Sequence, residues 1–389
     1  MLIPVMIIVF TVTLAIGVPI AFSIYFTSFG ALLTMKIPTV VLVQRVIGGI
    51  EKYPLLCVPF FILAGSFMSA GGITQRIVQF SNLLVGRFSG ALGLVDVLAC
   101  MFFAGISGSA IADATSVGAI LIPAMKKEGY SPKFAGAITA SAAVCGPIIP
   151  PSIPMVILGI VCGMSIGRLF IAAALPGIML GLSLMIGAYI SAVRNNYPKH
   201  RAASLKEVLW GVKEGGTALL MPVIIVLGIT TGVVTDAEVG ALAAIYALIV
   251  GVFVHRELNL QKIVECLKET VVSTGIVLFI MGAASLFAWL LTVSGIPKHI
   301  SQWIFSITTN KILILVMINI FLLIVGCFME GVAAILLLAP ILMPLATSIG
   351  MDPIHFGVMM VFNLMLGLLT PPVGMTLYIA MRFAEISLV

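Results

Sequence analysis

Residues 146–152 read Gly-Pro-Ile-Ile-Pro-Pro-Ser, and residues 367–373 read Gly-Leu-Leu-Thr-Pro-Pro-Val. Both stretches interrupt long apolar segments, and they lie 221 residues apart (367 − 146). Proline lacks a backbone donor and pushes the preceding residue towards an extended conformation, so a double proline cannot continue a helix. We therefore expect two helix breaks, at Pro150-Pro151 and at Pro371-Pro372, that expose carbonyl oxygens and a half-helix N-terminus; a mere kink is the alternative.

The same offset of 221 residues relates further glycines and prolines without any gap. It pairs Gly105 with Gly326, Pro123 with Pro344, Gly129 with Gly350, Pro132 with Pro353 and Gly136 with Gly357. Because Gly and Pro dictate backbone geometry, this register indicates a duplicated backbone. Repeats of this kind are typical of secondary transporters, whose sites lie where broken helices meet near the membrane midplane.

The composition places the chain in a membrane. It is 61% hydrophobic and only 9% charged, with a mean hydropathy of +1.26. A soluble domain carries about 25% charged residues, so lipid must cover most of this surface. The apolar runs are long rather than short and alternating, which favours helices over an outer-membrane barrel.

Two apolar runs, 90–125 and 312–347, are much longer than the roughly 20 residues that one span needs. Both carry Gly and small residues at the centre, so we predict two re-entrant helical hairpins; one long tilted helix is the alternative. An unwound helix follows each hairpin, over about 134–163 and 356–381. The sequence thus predicts an all-α integral membrane protein of two repeats, residues 1–193 and 216–389, joined by a cytoplasmic linker at 194–215. A second hydrophilic linker is predicted over 255–269.

Charge predicts the orientation of the two copies. The turn after the first hairpin contains Lys126, Lys127 and Lys133, whereas its counterpart has no basic residue and contains Asp352. The positive-inside rule puts the first turn and the basic 194–215 linker in the cytoplasm and the second turn outside. The copies are therefore predicted to be inverted, which suits alternating access.

Polar residues lie at the centres of both hairpins. In the first, Ser107 and Ser109 flank Gly108, and Asp113 is an acid deep in an apolar run. An interrupted helix here would free carbonyls and hydroxyls to bind a cation, and a membrane acid faces a polar interior. Serines that only bond their own helix, or that serve helix packing, are the alternative. Glu330 occupies the position of Ser109 in the second copy, as a counter-charge, a gate or a helix cap.

Other function classes find no support in the residues. The chain has no Gly-Lys dipeptide and hence no P-loop, and its four histidines are scattered. Its six cysteines form no Cys-x-x-Cys pair. We expect no enzymatic activity, no cofactor, no disulfide and no metal other than Na⁺. The net charge of +6 is read as membrane anchoring rather than nucleic-acid binding.

The motifs resemble the large membrane subunit of tripartite ATP-independent periplasmic (TRAP) transporters. The resemblance covers essentially the whole chain and rests on the runs 59–65, 71–76, 103–113, 146–154 and 367–374. It implies an elevator-type transporter of the bacterial inner membrane, driven by a Na⁺ gradient. It also implies two partners, a small membrane subunit and a periplasmic substrate-binding protein, and a small carboxylate as substrate: a C4-dicarboxylate, sialic acid, a sugar acid or a keto acid.

The resemblance also implies where ligands bind, between the hairpin tips and the unwound segments. One Na⁺ site would use Ser107, Asp113, Gly146 and Ile149. The other would use Gly326, Gly367, Thr370 and Met375. The substrate would lie between them, near Ser107, Ser109, Ser152 and Glu330.

The chain departs from the family pattern at two places. Glu330 stands where the family commonly has Asp, and the chain ends at Val389, where family members continue through another membrane helix. Two explanations stay open: the second copy is truncated, or its last element is lost. Two other readings stay open: a stand-alone ion-coupled anion transporter that needs no binding protein, and a passive channel or scaffold.

Overall fold

The computed structural model describes residues 2–387, in which all the regular secondary structure is helical and there is no strand. The first half of the chain forms eleven helices. They are α1 (Leu2–Ala15), α2 (Ile20–Thr34), α3 (Val40–Ile50), α4 (Cys57–Ala70), α5 (Ile73–Val85), α6 (Ala91–Ser107), α7 (Ala110–Ser116), α8 (Gly118–Lys127), α9 (Pro132–Ala143), α10 (Ile153–Cys162) and α11 (Ile166–Arg194).

The second half forms eight helices. They are α12 (Leu205–Thr230), α13 (Asp236–Ile249), α14 (Leu260–Val293), α15 (Ile296–Ile307), α16 (Lys311–Phe328), α17 (Gly331–Ser348), α18 (Pro353–Gly367) and α19 (Met375–Ala384). A short 3₁₀ turn, Tyr53–Leu56, precedes α4, and a π-helical turn, Val250–Val254, extends α13.

The helices pack into two groups. In the first group, α14 lies against α2, α3 and α4, while α13 packs along α4 and beside α12. In the second group, α6 to α11 pack with α16 to α19, so elements of both repeats share one core. The amphipathic helices α5 and α15 lie between the groups: α5 contacts α6 and α12, and α15 contacts α14 and α17.

Several helices are suited to cross a bilayer. By length and composition six described stretches qualify, or seven if the bent pair Lys206–Val212 and Gly215–Thr230 counts as one span. The six are Tyr53–Ala70, Ile166–Arg194, Asp236–Val254, Leu260–Val293, Lys311–Phe328 and Gly331–Ser348. Many of their large apolar side chains are exposed, Leu175 and Phe253 among them, as expected where lipid replaces water.

The charged linkers are shorter than the sequence predicts. α11 ends at Arg194 and α12 begins at Leu205, while α14 already begins at Leu260. Side-chain caps explain the early starts: the Ser204 hydroxyl accepts from the Glu207 N–H at 3.3 Å, and the Asn259 carboxamide accepts from the Lys262 N–H at 2.9 Å. Charged residues between 260 and 269 are thus helical, not linker as predicted.

The backbone keeps the 221-residue register. Gly129 and Gly350 both have positive φ, 84° and 76°, and the next helix begins three residues later in each copy. Both double prolines contain a cis peptide bond. The two copies therefore share turns and helix starts as well as sequence spacing.

Candidate functional site

The first polar tip lies at the break between α6 and α7. Gly108 ends α6 in the left-handed region, with φ 57°, where a residue with a Cβ is strained. Ser109 is extended and caps α7, because its hydroxyl accepts from the Ala112 N–H at 3.4 Å. The run 90–125 is therefore not one continuous helix, and the Ser109 N–H donates to the Ser107 hydroxyl at 3.2 Å across the break.

The second break of this copy separates α9 from α10. The backbone tightens into i→i+3 hydrogen bonds at its start, as where the Gly146 N–H donates to the Ala143 carbonyl at 3.1 Å. The Ser152 hydroxyl donates to the Pro147 carbonyl and accepts from the Met155 N–H, so it caps α10. This break abuts the first tip, since a Cβ on Gly108 would lie 3.1 Å from the Pro151 carbonyl oxygen.

Asp113 lies where the tip and the break meet. Its side chain is fully buried, and one carboxyl oxygen accepts a hydrogen bond from the Ser107 hydroxyl. The other oxygen, Oδ2, has no hydrogen-bond partner. It faces Gly146, since a Cβ there would collide with it. Three of the four residues predicted for the first Na⁺ site thus come together, while Ile149 packs against Gly177 of α11.

This arrangement fits a bound cation. A buried carboxylate oxygen without a donor is costly, and a cation coordinated by oxygens would remove that cost. The residues around Asp113 supply hydroxyl and main-chain oxygens, which are the ligands that unwound transporter helices offer to Na⁺. Gly146 matters because any side chain there would fill the space next to Oδ2.

In the second copy the equivalent meeting point is a backbone contact. Gly326 near the end of α16 lies against Gly367 at the end of α18, and a Cβ on Gly326 would lie 2.9 Å from the Leu364 carbonyl oxygen. The Val373 N–H donates to the Cys327 carbonyl at 3.2 Å, which ties the unwound segment to the end of α16. The contact brings together two residues predicted for the second Na⁺ site.

The hydroxyls of this segment divide into one exposed and one buried. Thr370 is exposed, and its N–H donates to the Gly367 carbonyl at 2.9 Å. Met375 begins α19 and is half-buried. The fully buried hydroxyl belongs to Thr376, which donates to the Leu368 carbonyl at 2.9 Å. Thr376 is not among the residues predicted from the sequence, although it lies next to the predicted Met375.

The second tip is built differently from the first. α16 ends at Phe328, and the extended residues Met329 and Glu330 lead into α17 without a glycine in the left-handed region. The Glu330 carboxylate accepts from the Ala333 N–H at 3.0 Å. Of the roles left open for Glu330, the cap is the one that the structure contains.

A cavity of about 790 Å³ lies between the two helix groups. The first group contributes one wall from α4 and α14, and the second group contributes the α6–α7 tip, Pro147, Glu330 and Met365. Of the four residues predicted to bind substrate, Ser107, Ser109 and Glu330 line this cavity. Ser152 does not, because its hydroxyl is buried in the cap of α10.

The cavity wall on α14 was missed by the sequence argument. Lys262, Glu265, Glu269 and Ser273 recur every three or four residues and all line the cavity, so they share one helix face. The Ser66 hydroxyl of α4 donates to the Glu269 carboxylate at 3.1 Å. The spacing is present in the sequence, but Lys262, Glu265 and Glu269 fall within the predicted 255–269 linker, and Ser273 falls in the apolar run that follows it.

A second buried acid lies behind the site. Asp96 of α6 is fully buried and accepts a hydrogen bond from the Thr139 hydroxyl of α9. The Cys100 Sγ lies 3.7 Å from its other carboxyl oxygen. Asp96 therefore has both oxygens occupied, unlike Asp113, and it fixes α6 against α9.

Comparison with known proteins identifies the family of the chain. Residues 7–389 match the family model described as "Tripartite ATP-independent periplasmic transporter, DctM component". The chain is 41% identical over 371 residues to the sialic acid TRAP transporter large permease protein SiaM of Vibrio cholerae, covering 95% of this chain and 87% of the relative. It is 43% identical over 329 residues to the C4-dicarboxylate TRAP transporter large permease protein DctM of Pseudomonas aeruginosa, covering 85% and 77%.

A solved structure shares the fold. The YdaH transporter of Alcanivorax borkumensis superposes with a TM-score of 0.58 at 14% identity, covering 92% of this chain and 83% of that one. The family model and the permease relatives confirm the resemblance drawn from the sequence motifs, and these relatives are transporter components rather than enzymes. The chain belongs to the DctM family, the large permease component of tripartite ATP-independent periplasmic transporters, and is a multi-pass protein of the bacterial inner membrane.

Proposed function

We propose that this protein is the membrane subunit that moves a small organic acid inward, coupled to Na⁺, in concert with a small membrane subunit and a periplasmic binding protein. The observation that carries the proposal is the unpartnered Oδ2 of Asp113, fully buried where two interrupted helices meet. The site adjoins the Ser107–Ser109 tip, which lines a cavity large enough for an organic acid.

Two Na⁺ sites are proposed, one in each repeat. Ser107, Asp113 and main-chain oxygens of the Gly146–Ile149 stretch would hold the first ion. The second would lie at the Gly326–Gly367 contact, with Thr370 and Met375. Positive charge at these points would offset the charge of an organic anion in the intervening cavity, which is why anion and cation would move together.

The movement we propose is of the elevator type. The second helix group contains both tips and both unwound segments, while the first group contributes only the opposite cavity wall. Sliding the second group along the first would carry the site across the membrane without dismantling it. In this proposal the two tips are the turns of re-entrant hairpins within the membrane. The helices α5 and α15 would connect the moving second group to the stationary first group.

The substrate class is proposed from the relatives, whose names specify sialic acid and C4-dicarboxylates. The test is uptake of sialic acid, succinate, gluconate and pyruvate into proteoliposomes holding the permease with its small subunit. We expect uptake of one acid class that requires both the binding protein and an inward Na⁺ gradient. Equal uptake without the Na⁺ gradient would refute ion coupling, and equal uptake without the binding protein would favour the stand-alone transporter.

A further inference from the structure

The cavity wall on α14 has an uneven charge pattern. Three ionisable side chains face the cavity from this helix, in the order Lys262, Glu265 and Glu269. Lys262 is the one basic side chain that the structure describes in the cavity lining. An anion near this wall is therefore attracted at one end of the row and repelled along the rest.

The two carboxylates are held by neutral donors. Gln261 donates to Glu265 at 3.1 Å, and Ser66 donates to Glu269 at 3.1 Å. Among the side chains that the structure describes, no carboxylate lies within 4.0 Å of the Lys262 ammonium. The neighbouring Arg76, by contrast, is paired with Glu257 at 2.7 Å.

The Lys262 ammonium has one recorded acceptor, the Ala70 carbonyl at the end of α4, at 3.2 Å. An ammonium has three donors, so the Ala70 contact leaves donors for a ligand. Because Lys262 is not committed to an ion pair, binding an anion breaks no existing salt bridge. This side chain is half-buried, so the attraction is screened less than on an open surface.

We infer that Lys262 is the residue that binds the carboxylate of the organic acid at the α14 mouth of the cavity, where the acid leaves for the cytoplasm. This inference rests on the proposed function and assigns the release side of the same site. The basic linker 194–215 and the basic start of α14 put this mouth on the cytoplasmic side by the positive-inside rule. Glu265 and Glu269 keep the acid from settling deeper along the wall.

The test is trans-inhibition of uptake by acid loaded inside the proteoliposomes, in vesicles whose lumen corresponds to the cytoplasm. The probe is whichever of sialic acid, succinate, gluconate and pyruvate the native protein takes up. Lys262→Gln keeps a donor for the Ala70 carbonyl but removes the charge. We expect the internal concentration that halves uptake to rise about tenfold, as for loss of a charge-assisted hydrogen bond.

Two variants serve as controls. Lys262→Arg keeps the charge and should stay within about twofold of the native value. Lys268→Gln removes a charge from the same helix at an exposed position outside the cavity, and it should match the native protein. Raising the internal salt should weaken inhibition in the native protein but not in Lys262→Gln.

The outcomes separate the two proposals. If the native protein takes up an acid but Lys262→Gln shows unchanged trans-inhibition, the role of Lys262 is overturned and the proposed function stands. The same holds if the native protein takes up an acid but shows no trans-inhibition at all. A native protein that takes up none of the four acids would overturn the proposed function, and this inference with it.

Discussion

Ser109 and Glu330 are 221 residues apart and cap equivalent helices in the two repeats. Each accepts a hydrogen bond from the N–H three residues further on, Ser109 from Ala112 at 3.4 Å and Glu330 from Ala333 at 3.0 Å. Both line the same cavity. The two tips thus share this capping pattern, although their backbones differ, and one presents a hydroxyl while the other presents a carboxylate.

The cap at Glu330 can be tested by stability. Glu330→Ala removes the acceptor for the Ala333 N–H and should lower the melting temperature of the purified protein, because a helix cap contributes about 1 kcal/mol to the free energy of unfolding. Glu330→Asp and Glu330→Ser, which keep a capping oxygen, should melt near the native temperature. An alanine variant that melts at the native temperature would show that the cap contributes nothing to stability.

Asp113 should control Na⁺ activation of uptake. Asp113→Asn replaces the acceptor with an uncharged amide, and Ser107→Ala removes its hydroxyl partner, so both should raise the half-saturating Na⁺ concentration, the first by about tenfold or more. Gly146→Ala should act in the same direction because its Cβ would collide with Oδ2. The control is Ser183→Ala, an exposed hydroxyl that only bonds its own helix. Native Na⁺ activation in all three site variants would refute the first site.

Substitutions of Thr370 and Thr376 should affect different measurements, Na⁺ activation for the first and stability for the second. Thr370→Ala, at an exposed position, should raise the half-saturating Na⁺ concentration while leaving the melting temperature unchanged. Thr376→Val leaves the Leu368 carbonyl without its donor and should lower stability by about 1 kcal/mol. If Thr370→Ala shows native Na⁺ activation, Thr370 is not a ligand.

The Gly326–Gly367 contact predicts a steric effect. A Cβ on Gly367 would run into the backbone of Gly326, which no side-chain rotation can relieve, so Gly367→Ala should strongly reduce folded protein and uptake. Gly187→Ala is the matched control, because a Cβ at this α11 position meets nothing within 4 Å. It should slightly raise the melting temperature, since Ala favours helix by about 1 kcal/mol over Gly. Fluorescence-detected size exclusion of both variants checks this, and equal yields would contradict it.

The positions of the helix breaks were easier to predict from the sequence than the helix faces that are buried or line the cavity. Gly108 and the double prolines act through their own backbone conformations, which local chemistry determines. The sequence left several roles open for Glu330, the helix cap among them. Choosing the cap requires knowing where α17 begins. Thr376 and the α14 face could not be placed, since burial depends on which side of a helix another helix covers. The early start of α14 also depends on a single side-chain cap, from Asn259.

The central claim, that the second helix group moves against the first, is tested most directly by cross-linking the two groups. A Cβ on Gly167 of α11 lies 3.8 Å from the Ile229 Cβ of α12, the spacing typical of a disulfide at about 3.8 Å. The variant Gly167→Cys/Ile229→Cys should lose acid uptake on oxidation and regain it on reduction.

The control cross-link, Gly136→Cys/Ala384→Cys, joins α9 to α19 inside the second group, where the Cβ atoms are 3.3 Å apart. It should leave uptake intact when oxidised. The six native cysteines are free thiols and should be replaced by alanine in both variants. The account predicts that oxidation stops uptake only in the Gly167/Ile229 pair; a fully oxidised Gly167/Ile229 pair that transports at the native rate would contradict it.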